Sequence, residues 1–194
     1  MTARSKPRDA LEARLGYVFD DRSLLDQAMT HRSWSHENPT APALGYERLE
    51  FLGDAILGLF VADRLFRDDP SASEGDLTKR MQGIVSMPTL AAAARSLGLG
   101  EDVRLGRGEE STGGRGKESI LADVFEAVLG AIYLDGGIRP ARAFVRRHLA
   151  PCPPSAIPDR DAKTELQERL QGRLRLTPGY RIVATSGPAH EREF

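Results

Sequence analysis

The stretch from Tyr46 to Leu57, Tyr-Glu-Arg-Leu-Glu-Phe-Leu-Gly-Asp-Ala-Ile-Leu, sets the first expectation for the fold. At about 100° per residue, an α-helix places Glu47, Glu50 and Asp54 within an arc of roughly 60°. The opposite side of this helix is apolar and carries Leu49, Leu52, Ile56 and Phe60. Like charges at these spacings repel, so the helix gains no stability from them. The sequence predicts an amphipathic helix whose carboxylates form either a solvated acidic face or a binding site.

A second stretch, from Ser119 to Asp135, is apolar over most of its helical circumference, and such a helix is normally buried. Asp123 and Glu126 nevertheless lie in its middle, about 60° apart around the helix axis. No Lys or Arg occurs between Lys117 and Arg139 to pair with them. Buried carboxylates are costly unless they are paired with cations or bind a metal. A divalent cation held between the two helices would satisfy both sets, and oxygen ligands favour Mg²⁺ or Mn²⁺.

Several motifs of the chain resemble those of the ribonuclease III family. Glu-Arg-Leu-Glu-Phe-Leu-Gly-Asp at 47–54 is similar to the signature of that family, and three further segments also match it: Thr-His-Arg-Ser at 30–33, Glu-Gly-Asp-Leu at 74–77 and Ser-Ile-Leu-Ala-Asp-x-x-Glu-Ala at 119–127. Their order and approximate spacing match the family from about residue 10 to the C-terminus. The resemblance implies an all-α ribonuclease III-type endonuclease domain, which we expect over residues 1–150.

The resemblance also implies an activity. It implies a metal-dependent endoribonuclease that hydrolyses double-stranded RNA to 5′-phosphate and 3′-hydroxyl ends and processes rRNA and mRNA. We expect Glu50, Asp123 and Glu126 to hold Mg²⁺, with Mn²⁺ as a possible substitute, while Asp54 orients water or a second ion. Asp54 and Glu126 are therefore the expected catalytic residues.

Three other candidates carry weaker expectations. The resemblance places Glu47 and Glu74 along the same acidic cleft, without a defined role. The alternative for Glu74 is stabilisation of a helix N-terminus by negative charge, because Ser73 is a candidate N-cap. We interpret His31 as a packed or hydrogen-bonded residue at a helix end rather than as a catalytic group.

Phe51 lies beside the carboxylates and away from the apolar side of its helix. An aromatic residue at this position would be exposed on a monomer, and this suggests a protein interface. The resemblance implies a homodimer whose two active sites face one cleft. The alternative is that Phe51 packs within the core of a single subunit.

The C-terminal region differs in composition. Residues 151–158 form a Pro-rich spacer, which is expected to be extended and semi-rigid. Residues 159–194 resemble the α-β-β opening of a double-stranded-RNA-binding domain, which lacks its third strand and second helix here because the sequence stops at Phe194. We therefore expect an incomplete α+β domain, as in a fragment. By resemblance its RNA-binding positions are Thr164, Gln167, Glu168 and His190.

Composition constrains the remaining classes of protein. The net charge of −1 argues against a strong nonspecific nucleic-acid binder. A single cysteine, Cys152, excludes an internal disulfide framework. The N-terminus lacks the apolar segment of a signal peptide, and no apolar run is long enough to cross a membrane. We expect a cytoplasmic protein without a membrane partner.

Other functions fit parts of the pattern. An all-α nucleoside-triphosphate pyrophosphatase also uses Glu-x-x-Glu and a later acidic pair for magnesium, but it would not explain residues 159–194. A non-catalytic RNA-binding protein on a nuclease-like scaffold is a second alternative. A di-iron bundle requires a His three residues after the Glu, which neither helix provides. The Gly-rich loop at 104–117 lacks the Walker pattern.

The rest of the chain predicts further helices. They span 7–15, 23–29 with Ser23 as N-cap, 77–97 with a bend around Pro88, and 140–149. Loops are predicted at 34–45, where Pro39, Pro42 and Gly45 occur, and at 104–117.

Overall fold

The structure is a computed structural model, and it describes residues 7–40 and 44–149 together with residues 170, 175, 176 and 179. The chain divides into two compact units, Met1–Ala156 and Ile157–Phe194. The described part of the first unit is helical and contains no strand, apart from a single parallel bridge between Thr30 and Arg104. The spacer at 151–158 and nearly all of the predicted RNA-binding segment lie outside the described residues.

Ten α-helices occur in the described part of the first unit. In chain order they are α1 (Pro7–Leu15), α2 (Arg22–Ala28), α3 (Arg32–Glu37), α4 (Glu47–Asp68), α5 (Glu74–Ile84), α6 (Met87–Ser96), α7 (Leu99–Asp102), α8 (Arg107–Ser111), α9 (Glu118–Gly136) and α10 (Ile138–His148). A short 3₁₀ helix at Gly114–Gly116 precedes α9.

Helix α9 forms the centre of the domain. It packs against α4, α6, α2 and α10, and most of its side chains are buried. Phe125 and Ile132 are completely inaccessible to solvent. The predicted buried helix is therefore confirmed, and α9 contains the whole of the stretch from Ser119 to Asp135.

Two glycines allow α4 and α9 to approach closely. A Cβ added to Gly53 in α4 would overlap the backbone carbonyl oxygen of Glu126 in α9. A Cβ added to Gly130 in α9 would likewise overlap the carbonyl oxygen of Leu49 in α4. Any larger side chain would force the helices apart, so both positions require glycine for packing rather than for backbone conformation.

The start of the second helix differs from the prediction. Ser23 was the predicted N-cap, but Asp21 occupies this position and its side chain accepts a hydrogen bond from the backbone N–H of Ser23. The carboxylate of Asp21 also accepts the Ser23 hydroxyl proton at 2.6 Å. Asp is as good an N-cap as Ser, so composition alone does not choose between these two positions.

The predicted long helix at 77–97 is wrong, because the chain forms two separate helices there. α5 ends at Ile84, and α6 begins at Met87 with Ser86 as its N-cap residue. Pro88 lies in the first turn of α6, where its missing N–H removes no intrahelical hydrogen bond. Pro88 therefore starts a helix and does not bend one.

Short helices occupy parts of both predicted loops. α3 overlaps the start of the predicted loop at 34–45, and α8 lies within the predicted loop at 104–117. These helices contact each other: the carboxylate of Glu37 accepts a hydrogen bond from the backbone N–H of Arg107 at 3.0 Å. Such tertiary contacts stabilise helices that are too short to form alone.

The segment Thr30 to Ser33 joins three parts of the domain. The buried Thr30 accepts a hydrogen bond from the Tyr46 backbone at 2.9 Å through its carbonyl oxygen. His31 is the N-cap of α3, since its Nδ1 accepts from the backbone N–H of Ser33. The Ser33 hydroxyl oxygen accepts from the Gly106 N–H at 2.8 Å. The interpretation of His31 as a hydrogen-bonded residue at a helix end is confirmed.

Candidate metal centre

Three carboxylates from α4 and α9 meet where the two helices cross. Glu50, Asp123 and Glu126 each offer one oxygen atom, and these three oxygens lie within 4.8 Å of one another. All three side chains are partly buried. Since α9 is the central helix and the glycine contacts bring α4 directly against it, the helix crossing determines the geometry of this group.

The pKa values of the three carboxylates are raised, because the side chains are partly buried and close to other negative charges. Burial, followed by the charges of Asp54, Glu50 and Asp123, raises the pKa of Glu126 to about 8. Burial is also the main cause of the raised pKa of Glu50 and of Asp123. Among the described residues, none of these three carboxylates forms an ion pair with a Lys or Arg. The group therefore gains from a bound cation.

Glu47 and Asp54 border this group on α4. Oε1 of Glu47 is buried and has no hydrogen-bond partner, and the charge of Glu47 acts on both Glu50 and Asp123. Asp54 is exposed, but it is close enough to Glu126 to raise its pKa. Both residues thus belong to the acidic surroundings of the three clustered carboxylates.

Glu74 lies apart from the group of three carboxylates. It occupies the first turn of α5, where Ser73 is the N-cap and accepts a hydrogen bond from the Asp76 N–H. Glu74 is exposed, and its Oε1 accepts a long hydrogen bond from the Thr78 hydroxyl at 3.4 Å. The alternative role of Glu74, stabilisation of the helix N-terminus, fits this position.

Tyr46 is a residue near the site that the sequence reading did not assign. It immediately precedes α4, is only 2% exposed, and donates its hydroxyl proton to Oδ2 of Asp123 at 3.3 Å. Burial and the nearby carboxylates raise the pKa of the Tyr46 hydroxyl, so this group remains a proton donor. The ring of His31 lies 5.5 Å from the Tyr46 ring.

The donor set fits a hard divalent cation. It consists of carboxylate oxygens only, with no cysteine or histidine in the group, and this composition suits Mg²⁺ or Mn²⁺ better than zinc or iron. The unpartnered buried oxygen of Glu47 points to the same need for positive charge. Three of the predicted site residues, Glu50, Asp123 and Glu126, therefore lie together as a donor set of carboxylate oxygens.

The predicted RNA-binding positions belong to the C-terminal segment. Thr164, Gln167, Glu168 and His190 all lie outside the described residues. Phe51, in contrast, lies in α4 and is 80% exposed, so the alternative of a core position within one subunit is wrong.

Comparison with known proteins agrees with this geometry. A family model described as Ribonuclease-III-like matches residues 21–152. Ribonuclease 3 of Nitratidesulfovibrio vulgaris is 47% identical over 192 residues, which are 97% of this chain and 76% of that protein. Ribonuclease 3 of Symbiobacterium thermophilum is 47% identical over 183 residues, which cover 93% of this chain and 77% of that protein.

Solved structures give the same result. The nuclease domain of the ribonuclease III of Campylobacter jejuni superposes with a TM-score of 0.67 and is 40% identical, covering 72% of this chain and 93% of that one. That structure is described as showing flexibility in a region involved in dimer formation. The chain therefore belongs to the ribonuclease III family, and it is an endoribonuclease.

Family membership decides between the alternatives left open by the sequence. The predicted enzyme class is confirmed, and the pyrophosphatase and non-catalytic readings are not supported. Among the described residues, no helix has both the length and the apolar character needed to cross a bilayer.

Proposed function

We propose that this endoribonuclease cleaves double-stranded RNA by metal-assisted phosphodiester hydrolysis and leaves 5′-phosphate and 3′-hydroxyl ends. The observation that carries the proposal is the meeting of Glu50, Asp123 and Glu126 at the crossing of α4 and α9. In cells, the substrates would be duplex regions of rRNA and mRNA precursors, and the compartment would be the cytoplasm.

The carboxylates divide into two tasks in this proposal. Glu50, Asp123 and Glu126 would hold Mg²⁺, and Mn²⁺ could substitute for it because both ions prefer oxygen ligands. A bound cation would lower the pKa of a coordinated water and offset charge on the phosphate oxygens. Asp54, which is exposed beside Glu126, orients water or a second ion. Asp54 and Glu126 are the proposed catalytic residues.

The chemistry of the product ends follows from which bond of the phosphodiester breaks. Water adds to phosphorus, and the bond between phosphorus and the 3′ oxygen breaks, so the phosphate remains on the 5′ end. The departing 3′ oxygen takes a proton.

Glu47 and, further along the cleft, Glu74 are proposed to border the path of the substrate, without a direct role in bond cleavage.

We propose a homodimer centred on Phe51. Phe51 is 80% exposed and itself lines a mostly apolar concavity of about 600 Å³. The other lining residues are Leu44, Leu49, Leu52 and Leu134 with the polar Gln27, Glu47 and Arg48. A two-fold axis here would place the Phe51 ring of each copy in the concavity of the other, as an isologous interface requires. Because Glu50 lies next to Phe51 in α4, the two active sites would lie near one cleft.

The domain assignment beyond residue 150 is also a proposal. We propose residues 1–150 as the endonuclease domain, 151–158 as a Pro-rich linker and 159–194 as the N-terminal part of a double-stranded-RNA-binding domain. Thr164, Gln167, Glu168 and His190 would contact RNA there. The resemblance of the sequence is what supports this division. Almost all of residues 151–194 lie outside the described part of the chain.

A cleavage assay on a long RNA duplex tests the proposed function. Wild type is expected to cleave in Mg²⁺ and to be inactive in EDTA. Glu126→Gln removes one proposed ligand and is expected to reduce cleavage by about 100-fold or more. Cleavage that persists in EDTA, or that proceeds at the wild-type rate in the variant, would rule out the proposed site.

A matched variant on the same helix separates this effect from a general one. Glu118 is exposed at the start of α9 and pairs with Arg95 at 3.2 Å, and it is not one of the three clustered carboxylates. Glu118→Gln should therefore retain wild-type cleavage. Digestion of the products by a 5′-phosphate-dependent exonuclease tests the end chemistry, and a single-stranded RNA of the same sequence tests the requirement for a duplex.

A further inference from the structure

Tyr46 connects the start of α4 to Asp123 on α9, one of the three clustered carboxylates. Its backbone N–H is held by Thr30, its ring lies against His31, and its hydroxyl reaches Asp123 across the helix crossing. Tyr46 is 2% exposed, so solvent has little access to this residue. The position of the hydroxyl is thus fixed by the surrounding backbone and ring contacts.

Asp123 depends on this contact. Among the described residues, the Tyr46 hydroxyl is the only hydrogen-bond donor to the Asp123 side chain. The terminal torsion of an aspartate side chain has a broad preference, so a hydrogen bond from a neighbour selects the orientation of the carboxylate. Groups that hydrogen-bond to a metal ligand orient that ligand, and their loss typically weakens metal binding by about 10–100-fold.

We propose that Tyr46 is a positioning residue, whose buried hydroxyl holds Asp123 in the orientation in which it shares a cation with Glu50 and Glu126. This inference rests on the proposed function, since it takes the three carboxylates as the cation site. Tyr46 itself does not touch substrate or cation. It acts through Asp123 alone.

Direct measurement of Mn²⁺ binding in the absence of RNA tests the inference. Tyr46→Phe removes one hydroxyl and keeps the ring. We expect its Mn²⁺ affinity, measured by calorimetry or by the electron-spin signal of free Mn²⁺, to fall about tenfold or more. Cleavage should fall at low Mg²⁺ and recover at high Mg²⁺, with the KM for RNA unchanged. A wild-type Mn²⁺ affinity would overturn the proposal.

Tyr17→Phe is the matched control. The Tyr17 hydroxyl donates to Oδ2 of Asp135 at 2.6 Å, and Asp135 is not one of the three clustered carboxylates. This variant also loses one tyrosine hydroxyl bonded to an aspartate on α9, yet it should bind Mn²⁺ as wild type does. Equal losses in the two variants would indicate a general structural effect and would contradict the assignment of Tyr46.

A double-mutant cycle identifies the residue through which Tyr46 acts. In an Asp123→Asn background the carboxylate is absent, so Tyr46→Phe should cause no further loss of Mn²⁺ affinity. Additive losses would show that Tyr46 acts elsewhere. As a rescue, 4-aminophenylalanine at position 46 keeps an N–H donor at the same end of the ring and should restore binding.

The outcomes also separate this inference from the proposed function. If wild type binds no Mn²⁺, the cation site itself is wrong. If wild type binds Mn²⁺ and Tyr46→Phe binds it equally well, only the role of Tyr46 is wrong. A Tyr46→Phe chain that fails to fold would assign the hydroxyl to folding, and this outcome would also overturn the inference.

Discussion

The backbone of Gly53 in α4 lies directly against the carbonyl group of Glu126 in α9, with no space between them for a Cβ. The reciprocal contact joins Gly130 of α9 to the carbonyl oxygen of Leu49 in α4. These contacts set the distance between two helices that each carry carboxylates. The geometry of the candidate metal centre is therefore a direct consequence of two missing side chains.

Gly53→Ala should impair both stability and metal binding. The added methyl group would overlap the Glu126 carbonyl oxygen, so α4 and α9 must separate, and such overpacking typically costs about 1–3 kcal/mol. The separation moves Glu50 away from Asp123 and Glu126, which should weaken Mn²⁺ binding. Denaturant unfolding and calorimetry measure the two effects.

Gly58→Ala on the same helix is the control for Gly53→Ala. The nearest atom to its added Cβ would be Cε of Met81 at 3.4 Å, an ordinary contact with the end of a flexible side chain. Alanine also favours helix over glycine by up to about 1 kcal/mol. This variant should therefore be at least as stable as wild type and bind Mn²⁺ normally. If both variants behave alike, the close contact at Gly53 does not set the site.

Glu126→Gln should stabilise the metal-free protein at high pH. The pKa of Glu126 is raised to about 8 in the folded chain, compared with 4.5 for an ordinary Glu. Between these values the folded chain keeps a proton that the unfolded chain has released, so the free energy of unfolding falls as pH rises. Glutamine has no such dependence. In EDTA near pH 9 we expect the variant to be more stable by about 2 kcal/mol.

Saturating Mg²⁺ should reverse this order, because binding to the folded wild type stabilises it and the variant lacks one ligand. Urea unfolding at pH 5 and pH 9, with EDTA or Mg²⁺, measures the four cases. Glu118→Gln, on the exposed first turn of α9, should change stability by less than about 0.5 kcal/mol at either pH. Parallel pH dependence in wild type and Glu126→Gln would contradict the raised pKa.

Phe51→Asp should give a monomer. A charged side chain cannot enter the apolar concavity of a second copy without losing its hydration, and the loss would occur twice in a two-fold dimer. Light scattering measures the mass of the particle in solution. Phe66 is 71% exposed on the same helix but does not line the concavity, so Phe66→Asp is the control and should remain dimeric. A Phe51→Asp dimer would defeat the proposed interface.

The sequence predicted the parts of the fold that depend on periodicity. Helices α4 and α9 have repeated apolar positions over five turns or more. α4 begins one residue after Tyr46, where the predicted stretch starts, and α9 contains the whole stretch from Ser119 to Asp135. The carboxylates of α9 were predicted as site residues because charges on a buried helix require a partner, and those of α4 because three of them lie on one face. What periodicity does not give is the distance between two helices, and here that distance depends on Gly53 and Gly130.

The errors of the sequence reading arise from contacts between segments distant in sequence. Helix α3 forms where a loop was predicted because His31 caps it and Glu37 binds the Arg107 backbone. Nothing in the local sequence indicates that the Tyr46 hydroxyl reaches Asp123, 77 positions away. A helix start and a helix bend can both occur at a proline, so the sequence around Pro88 does not distinguish them.

Ser33→Ala should lower stability without changing the metal centre. The Ser33 hydroxyl oxygen is the acceptor for the buried N–H of Gly106, and an unsatisfied buried N–H costs about 1–3 kcal/mol. Ser33 contacts none of the clustered carboxylates, so Mn²⁺ affinity should be unchanged. Ser71→Ala removes an exposed hydroxyl bonded to Asp69 and should change stability little. A Ser33→Ala variant with normal stability but weakened Mn²⁺ binding would instead place the Thr30–Ser33 motif in the active site.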